Sequence, residues 1–585
     1  MTESVSKDSQ THAALAETAT SDESPQTQSP SDSTTNTPNP APDNGHNENQ
    51  TSEKSDDDPA TSQTLIQKRV KRIGLAALVL SFGILCSRLL GFVREAVIAY
   101  QAGAGADTDA YNAAFTLPDI MNYFLAGGTM SITFIPLFAA YMAKNKIDLA
   151  NRLFSIIATT MGVLMMAAIT LCMIFTTPLA HLLFPGFDAD QLAKTVEMTR
   201  IVLPAQICHY IGSLMMACLM ARGQFLPSAI APFVYNLMII IGGIVLYPLV
   251  GMKGFSIGAA AGAFLGPFLI PLLFLKGKVK YKPIIAFTDA DFKKYLFLTL
   301  PLMIGASLTT VDEFIWRFLG SSMDVGSISW LNYARRLVLV PIGLVGQAAG
   351  QAALPYLSQL AAKGDNETTA QTLHKTLKNV IILSFVIIAF FFVLARPMVS
   401  LIYERGEFSA SDTDTTAGIL QMLSFAIVFW TIQMVTVRAF YAAQNTLRPM
   451  LITTSVTLIS LPIYWLCSKC LGLQGLAIAS VIGMCLQSSA IVFFYHRQNR
   501  LFKPAALFKA AAIGLILAVI TAAGSFGGLQ IARLLPIESH TWRILFELGI
   551  AGTIGLICVA IPARFLIPDL FGAFTKKLRR KLLRR

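Results

Sequence analysis

The sequence predicts an all-α protein that crosses a membrane many times. Of its 585 residues, 54% are hydrophobic and only 14% are charged, and the mean hydropathy is +0.57. Apolar runs of about 20 residues or more recur from residue 73 to residue 566, and a helix of that length spans the hydrocarbon core of a bilayer. This composition excludes a soluble globular domain.

We predict fourteen membrane-spanning segments with both termini in the cytoplasm. The loops that this count places inside hold roughly 29 Lys and Arg, against roughly 8 outside, as the positive-inside rule requires. The segments are 73–100, 110–142, 152–176, 195–221, 228–250, 254–275, 293–319, 327–360, 372–395, 414–444, 447–467, 473–496, 506–533 and 542–566.

Both ends of the chain differ from the apolar part. Residues 1–60 hold twelve of the 34 acidic residues and two of the 46 basic ones, with few apolar side chains. Because such a segment cannot offset its ordering entropy, residues 1–62 are predicted to be a disordered acidic tail. They contain no basic region followed by an apolar core, so no cleavable signal peptide is expected. Residues 567–585 form a basic tail, and outside the acidic tail the chain carries about +22, which suits anionic lipids or an anionic substrate.

An internal repeat divides the apolar part into two lobes. The run GMKGFSIGAAAG, which begins at Gly251, returns as GLQGLAIASVIG at Gly472, and weaker echoes extend over more than one hundred residues before them. The repeat unit is six segments, so both lobes have the same topology and are related by an axis along the membrane normal. The predicted parts are an N-lobe over 73–276, a C-lobe over 292–497, and segments 13 and 14 over 506–566.

Two arginines inside the first segment indicate a function. Arg88 lies roughly 22 Å along a helix that begins at residue 73, close to the middle of a bilayer core roughly 30 Å thick. An arginine there costs several kcal/mol unless it faces a polar cavity or a partner. Arg94 has two interpretations, a local pair with Glu95 or another acid, or a place in a water-filled cavity for an anion.

The start of the C-lobe supplies a second charged set. Glu313 and Arg317 lie four residues apart on one face of segment 7. They are either part of a charged site between the lobes or a buried structural pair, and the spacing favours neither. Asp312 is then left as a candidate cation or proton site. Arg335 and Arg336 in segment 8 point about 100° apart on a helix, so they cannot both face one cavity.

The motifs of enzymes and metalloproteins are not present in the sequence. It has no Walker loop, no HExxH and no GxSxG, and the isolated CSKC over 467–470 is weak evidence for a redox or metal role. We therefore expect no enzyme, no cofactor and no nucleic-acid partner. Transport would draw on Na⁺, H⁺ or the membrane potential.

Four runs of sequence resemble one membrane protein family. They are SRLLGFVREAVIAYQAGAGADTDAYNAAFTLPD, SWLNYARRLVLVPIGLVGQAAGQAALPYLS, LIYERGEF and FYAAQNTLRP. From about residue 70 onward the chain resembles the MurJ (MviN) family of lipid II flippases, within the multidrug, oligosaccharidyl-lipid and polysaccharide exporter superfamily. The resemblance implies fourteen helices, a V-shaped cationic central cavity, and a groove of segments 13 and 14 for the undecaprenyl tail.

The resemblance also implies which residues contact the substrate. Arg88 and Arg94 match the family's two arginines on helix 1, Asp109 matches the acid at the start of helix 2, and Arg336 matches the essential arginine of helix 8. Asp312 is the nearest match to an acid through which some members bind sodium, with Glu313 beside it as a second ion candidate.

The chain departs from the family's best-known members at two places. It reads LPDIMNYFLAGGT where they read LPNLLRRIFAEGA, so Asn122 and Tyr123 replace an arginine pair and Gly127 replaces an acid. Arg335 stands where those members often have aspartate. One cationic contact is lost and another is gained, and we include Asn122 and Arg335 among the candidate substrate-binding residues.

These observations predict a flippase of the bacterial inner membrane that moves lipid II to the periplasmic leaflet by alternating access. Its expected partners are lipid II, membrane lipids and other cell-wall synthesis proteins. A flippase for another polyprenyl-diphosphate-linked polysaccharide, of the O-antigen type, shares the diphosphate and is the main alternative. The arginines argue against a multidrug antiporter for cations, and a membrane scaffold would not require charges at mid-membrane.

Overall fold

The computed structural model describes residues 83, 85–122, 129–308, 311–568 and 572, with only the backbone for 129–132 and 301–308. The predicted acidic tail, most of the basic tail, Tyr123 and Gly127 lie outside these residues. All regular secondary structure in the described residues is helical, which confirms the predicted all-α class for that part of the chain.

The first half of the chain, residues 85–275, is called the N-half. Its helices are α1 (85–102), α2 (Ala106–Ala114), α3 (Thr116–Met121), α4 (Thr129–Ala143), α5 (Ile147–Ile174), α6 (Thr176–Leu183), α7 (Ala189–Val202), α8 (Ala205–Ala221), α9 (Leu226–Val250), α10 (Lys253–Ala263) and α11 (Ile270–Leu275). A π-helical turn, Phe264–Leu269, joins α10 to α11.

The second half, residues 290–498, is called the C-half and is followed by two further helices. The C-half contains α12 (Ala290–Leu308), α13 (Val311–Gly320), α14 (Ser327–Pro341), α15 (Ala348–Ala362), α16 (Asn366–Val393), α17 (Ala395–Tyr403), α18 (Ala410–Ser424), α19 (Ala426–Ala442) and α20 (Leu447–Gln498). The last two are α21 (Ala505–Arg533) and α22 (His540–Leu566). A π-helical turn, Ile342–Gln347, joins α14 to α15 directly after Pro341.

Within the described residues, nine helical stretches are long and apolar enough to cross a membrane, or ten if the bent pair α18 and α19 forms one span. Three of the nine join consecutive helices, namely α7 with α8, α10 with α11, and α14 with α15. These helices support a multi-pass membrane protein, whereas the count of fourteen stays a prediction. The single helix α20 covers two predicted segments and is interrupted at Gly472, whose φ of 57° and ψ of −135° are not helical. The sequence separates segments 11 and 12 at the same place.

The offset of the sequence repeat returns in the helix boundaries. Helices α5 and α16 both have 28 residues and start 219 positions apart, and α8 and α19 both have 17 residues and start 221 positions apart. Backbone turns repeat as well, because Gly251 and Gly472 both have positive φ, as do Gly223 and Gln444. The two halves therefore share local geometry beyond the glycine motif.

Two large hydrophobic cores hold the helices together. One joins α4, α5 and α8 with the start of α12, where Phe292 and Tyr295 are fully buried, and the other extends from α13 to α22. Helix α12 packs against α4 and α5 as well as against α20. It therefore belongs to the C-half by sequence but contacts both halves.

Candidate functional site

The carboxylate of Glu95 links the two halves, because one arginine from each half contacts it. Arg94 donates to Glu95 Oε1 at 2.5 Å and to Asn236 Oδ1 at 3.0 Å. The same Glu95 oxygen lies 3.3 Å from Nε of Arg336, which comes from α14 in the C-half. Glu95 is only 4% exposed. The local pair considered for Arg94 is present, and it is part of a contact between the halves.

A second charged group joins α3, α13 and α14. Glu313 accepts from Arg317 at 2.8 Å and lies 3.0 Å from Arg335. Arg317 also donates to Asp119 Oδ2 at 3.2 Å and to Thr116 Oγ1 at 3.0 Å, both in the N-half. The predicted pair of Glu313 and Arg317 is present, and Arg317 connects it to the other half.

The adjacent arginines of α14 point to different partners, as their helical spacing predicts. Arg335 faces α13, where its guanidinium lies 5.0 Å from the ring centroid of Trp316 and pairs with Glu313. Arg336 faces Glu95 of α1 and keeps 41% of its side chain exposed. Cation–π stacking and ion pairing both hold Arg335 in place, whereas Arg336 is the more accessible of the two.

Arg88 reaches the π-helical turn that follows α14. Its guanidinium donates to Gln347 Oε1 at 2.8 Å. A Cβ atom at Gly343 would collide with the same guanidinium, so the glycine leaves room for it. π-Helical turns often mark functional sites, and this one receives an arginine from the other half.

These side chains define the arginine cluster. It comprises five arginines and three carboxylates, namely Arg88, Arg94, Arg317, Arg335, Arg336, Glu95, Asp119 and Glu313. Guanidinium groups stay charged when buried and bind phosphate oxygens in pairs. With more positive than negative groups, the arginine cluster has the chemistry to receive an anion that carries phosphates.

Asp109 lies at the N-terminus of α14 and is fully engaged. Its carboxylate is 2% exposed and accepts from the backbone N–H of Gly326 at 2.7 Å and of Ser329 at 2.8 Å, and from the Ser329 hydroxyl at 2.6 Å. A carboxylate at a helix N-terminus is favoured by the helix dipole. In this conformation Asp109 caps α14 from the other half, and its predicted contact with substrate stays a prediction.

Asp312 has neutral hydrogen-bonding neighbours. The Tyr464 hydroxyl donates to it, and Ser480, which accepts from Trp316 Nε1 at 2.5 Å, lies 3.4 Å from that same hydroxyl. Glu313, the next residue, faces the arginines instead. The described residues contain no group of three or more His, Cys, Asp or Glu side chains that could hold a metal ion, so the ion role of Asp312 and Glu313 also stays a prediction.

At one end of the molecule the halves meet closely through four glycines. A Cβ at Gly103 would collide with the Glu407 backbone, and one at Gly406 would collide with the carbonyl of Tyr100. Gly186 and Gly326 make similar approaches to the backbone of the opposite half. We call this contact the tight end, and its glycines are Gly103, Gly186, Gly326 and Gly406.

A small cavity lies between the halves beside the arginine cluster. Its volume is about 20 Å³, which holds about one water molecule. Asn112 of α2 and Asn332 of α14 line it and share a hydrogen bond of 3.2 Å. In this conformation the cavity is too small for a group larger than a water molecule.

Sequence reasoning missed several members of the site. Asp119, Asn236 and Gln347 are polar residues inside apolar helices, which is a signal in itself, but their partners lie 142 to 259 positions away. No local pattern identifies such pairs. Asn122 ends α3, where its backbone N–H donates to the carbonyls of Pro118 and Asp119, and its role as a substrate contact stays a prediction.

A family model described as lipid II flippase MurJ matches residues 98–553. The chain belongs to this family. It is 27% identical over 442 residues to a probable lipid II flippase MurJ of Vibrio cholerae serotype O1, covering 73% of this chain and 84% of that protein. It is 26% identical over 461 residues to a lipid II flippase MurJ of Burkholderia cenocepacia, covering 77% of this chain and 88% of that protein.

Solved structures agree with this fold. A structure of lipid II flippase MurJ in an inward closed conformation matches with a TM-score of 0.70 and 23% identity, covering 84% of this chain and 100% of that one. An inward-facing multidrug resistance transporter of the MATE family, in the MOP superfamily, matches with a TM-score of 0.62 and 16% identity, covering 73% of this chain and 98% of that one. The family model confirms the predicted family, and the two structural matches show that the fold is shared.

Proposed function

We propose that this chain is a lipid II flippase of the bacterial inner membrane. Its family consists of lipid flippases, which are transporters and not enzymes. The substrate would be the undecaprenyl-diphosphate-linked precursor of peptidoglycan, moved from the cytoplasmic to the periplasmic leaflet. The arginine cluster suits the diphosphate of such a lipid.

The observation that carries this proposal is the sharing of Glu95 by Arg94 and Arg336. Each arginine belongs to a different half, and both pair with the same carboxylate, which leaves one positive charge in excess. A diphosphate has more oxygens and more charge than this carboxylate, so it would displace Glu95 and pair with arginines of both halves at once. The carboxylates would then hold the empty site together between transport cycles.

Alternating access follows from the repeat. We infer two lobes, 73–276 and 292–497, within a fold of fourteen helices, and the equal helix lengths at offsets of 219 and 221 support this division. The excess of Lys and Arg in one set of loops supports cytoplasmic termini. On this assignment the tight end is periplasmic, and opening it while the opposite end closes would release the headgroup.

The lipid tail would remain in the bilayer beside α21 and α22. Helix α21 packs against α16 and α22, and α22 against α17. Both carry exposed apolar side chains, including Leu515, Val519, Leu556 and Ile561. An undecaprenyl chain sliding along residues 506–566 would keep apolar contact throughout transport.

The membrane potential would favour the loaded step. Because the inside of the cell is negative, moving a negative headgroup outward is favourable by about 2.3 kcal/mol per charge per 100 mV. Asp312, with hydroxyl groups of Tyr464 and Ser480 nearby, is the proposed site for a proton or Na⁺ that resets the empty carrier.

Asp109 would set the position of α14, and Asn122 and Arg335 would adjust the headgroup contact.

The proposal is tested by reconstituting the full chain in vesicles that contain lipid II. A water-soluble lipid II-cleaving toxin added outside digests only the outer-leaflet lipid in protein-free vesicles. With an active flippase the protected inner-leaflet lipid should also become cleavable. If the protected fraction stays uncleaved, while a matching polysaccharide lipid of the O-antigen type is moved, the substrate assignment is wrong.

A further inference from the structure

The connection between the two halves is an extended segment that lies along α5. Residues 276–289, called the strap, join α11 to α12. Residues 280–286 have no regular secondary structure, and the chain turns at 287–288. The strap is therefore irregular backbone beside a helix predicted to span the membrane.

Polar side chains of α5 satisfy the strap's alternate N–H groups. The backbone N–H of Lys280 donates to Asn151 Oδ1 at 3.3 Å, and that of Lys282 donates to Ser155 Oγ at 3.1 Å. Further along, the N–H of Ile284 donates to Thr159 Oγ1 at 3.4 Å, and that of Ala286 donates to Thr160 Oγ1 at 3.1 Å. Pro283 has no N–H to satisfy. Irregular backbone is tolerated at membrane depth where protein groups replace water as partners, and the strap meets that condition at four positions.

The hydrogen bonds also fix how far the strap extends along α5. From Asn151 to Thr160 the helix rises about 14 Å. Directly beyond Thr160 the exposed side chains of α5 include the apolar Val163, Leu164 and Met166. The turn of the strap therefore lies beside the exposed apolar side chains in the middle of α5.

An ion pair closes the far end of the strap. Asp289 accepts from Arg152 at 2.6 Å. Partial burial acts to raise the pKa of Asp289, but hydrogen bonds from Arg152 and from the N–H groups of Asp291 and Phe292 outweigh it and keep the pKa below its usual range. The strap is thus held on α5 at both ends of its excursion.

The exposed side chains of the strap are of two kinds. Tyr281, Ile285 and Phe287 are apolar or aromatic and are 54%, 59% and 49% exposed. The lysines at alternate positions are Lys276, Lys278, Lys280 and Lys282. Within the described part of the chain none of these lysines is paired with a carboxylate, although Lys278 donates to Gln224 Oε1 at 2.9 Å. Exposed aromatic and apolar groups beside lysines are typical of segments at the membrane interface.

We propose that the strap is a binding surface for anionic phospholipids. Ile285 and Phe287 enter the acyl-chain boundary of the cytoplasmic leaflet, and the four lysines pair with headgroup phosphates. Electrostatic attraction favours the binding of such lysines to an anionic membrane surface. This surface is separate from the arginine cluster and does not depend on lipid II as a substrate.

The charge contribution is tested by photocrosslinking in vesicles without lipid II. The full chain is reconstituted with photoactivatable phosphatidylglycerol or, in parallel, photoactivatable phosphatidylcholine at the same mole fraction, and the labelled peptides are identified by mass spectrometry. The strap should be labelled at least about fivefold more by the anionic lipid, the ratio expected from even one lysine near an anionic surface. Equal labelling by the two lipids would overturn the proposal.

Two sets of lysine variants separate the strap from general surface charge. Replacement of the four strap lysines by glutamine should reduce labelling by the anionic lipid to the level of phosphatidylcholine. A matched set outside the strap, Lys363→Gln, Lys375→Gln, Lys378→Gln and Lys503→Gln, should leave labelling of the strap unchanged. A similar loss with both sets would contradict a specific surface.

The depth of the strap is tested with Phe287→Trp. The additional fluorescence, relative to the parent protein, should be quenched by phospholipids brominated on their acyl chains and resist a water-soluble quencher. The opposite pattern would place position 287 in water and overturn the membrane-facing orientation of the strap.

Discussion

At the tight end the two halves of the chain meet through glycines and backbone carbonyls, whereas at the arginine cluster they meet through ion pairs. The first contact depends on shape, because a single added carbon at Gly103 or Gly406 would collide with the opposite backbone. The second depends on charge, because Arg336 reaches the carboxylate of Glu95 on the other half. A ligand cannot take the place of closely packed backbone, whereas an anion of higher charge can take the place of the carboxylate in an ion pair. We therefore expect the tight end to act as a gate and the arginine cluster to bind the substrate.

The largest effect is expected from Arg336→Ala. Removing a charge-assisted hydrogen bond to the diphosphate costs on the order of 1.5–3 kcal/mol, so lipid II transport in vesicles should fall about 10- to 150-fold. Arg396→Ala is the matched control, because Arg396 pairs with Asp414 at the exposed surface. Equal transport by Arg336→Ala and the parent protein would remove Arg336 from the site.

A substitution at Gly406 tests the shape contact. Gly406 has a φ of 63°, and a residue other than glycine there costs roughly 1–2 kcal/mol in addition to its collision with Tyr100. Gly406→Ala should lower closure of the tight end several-fold, measured as crosslinking between cysteines introduced at Asn112 and Ser329, which share a hydrogen bond of 3.3 Å.

Gly364→Ala is the control for the Gly406 variant. Gly364 has a φ of 71° but has open space where a Cβ would lie, so it carries the same backbone strain without a contact between the halves. A similar loss of crosslinking in both variants would show that strain alone explains the result.

Glu95→Gln sharpens the comparison because it should act in the opposite direction to Arg336→Ala. If Glu95 holds the place of the diphosphate, its neutralisation leaves Arg94 and Arg336 more available. Binding of lipid II should then tighten by about five- to tenfold, which corresponds to roughly 1–1.4 kcal/mol. Asp107→Asn, at an exposed pair with Lys194, should not change it. Weaker binding by Glu95→Gln would indicate a purely structural pair.

The smallest effect on transport is expected from Asp109→Asn, which should act on stability instead. The amide has one acceptor oxygen and cannot serve both Gly326 and Ser329 as the carboxylate does. The loss should be about 1–3 kcal/mol, seen as a lower thermal unfolding temperature in detergent. Asp414→Asn should leave that temperature nearly unchanged. An unchanged temperature for both variants would mean that the cap does not stabilise this conformation.

The sequence predicts an all-helical, multi-pass membrane protein because the bilayer imposes a minimum apolar length and every spanning backbone must satisfy its own hydrogen bonds. It also identifies Arg88, Arg94, Arg335 and Arg336, because a charge inside an apolar segment is unusual. It does not predict that Asp109 caps α14. That contact depends on how helices about 220 positions apart pack together.

The strap shows the same limit. Asn151, Ser155, Thr159 and Thr160 read as isolated polar residues at the start of an apolar segment. Only the tertiary structure shows that a loop from another part of the chain uses them as hydrogen-bond acceptors. Helical periodicity contains no information about an extended partner.

The most direct test of the central claim is made in cells depleted of this protein. The measurement is the fraction of lipid II that a periplasmic lipid II-cleaving toxin reaches, compared with undepleted cells. In a cell without a second flippase, that fraction should fall sharply while total lipid II is maintained or raised, and the parent chain and Arg396→Ala should restore it. Unchanged cleavage after depletion, or full restoration by Arg336→Ala, would contradict transport of lipid II through the arginine cluster.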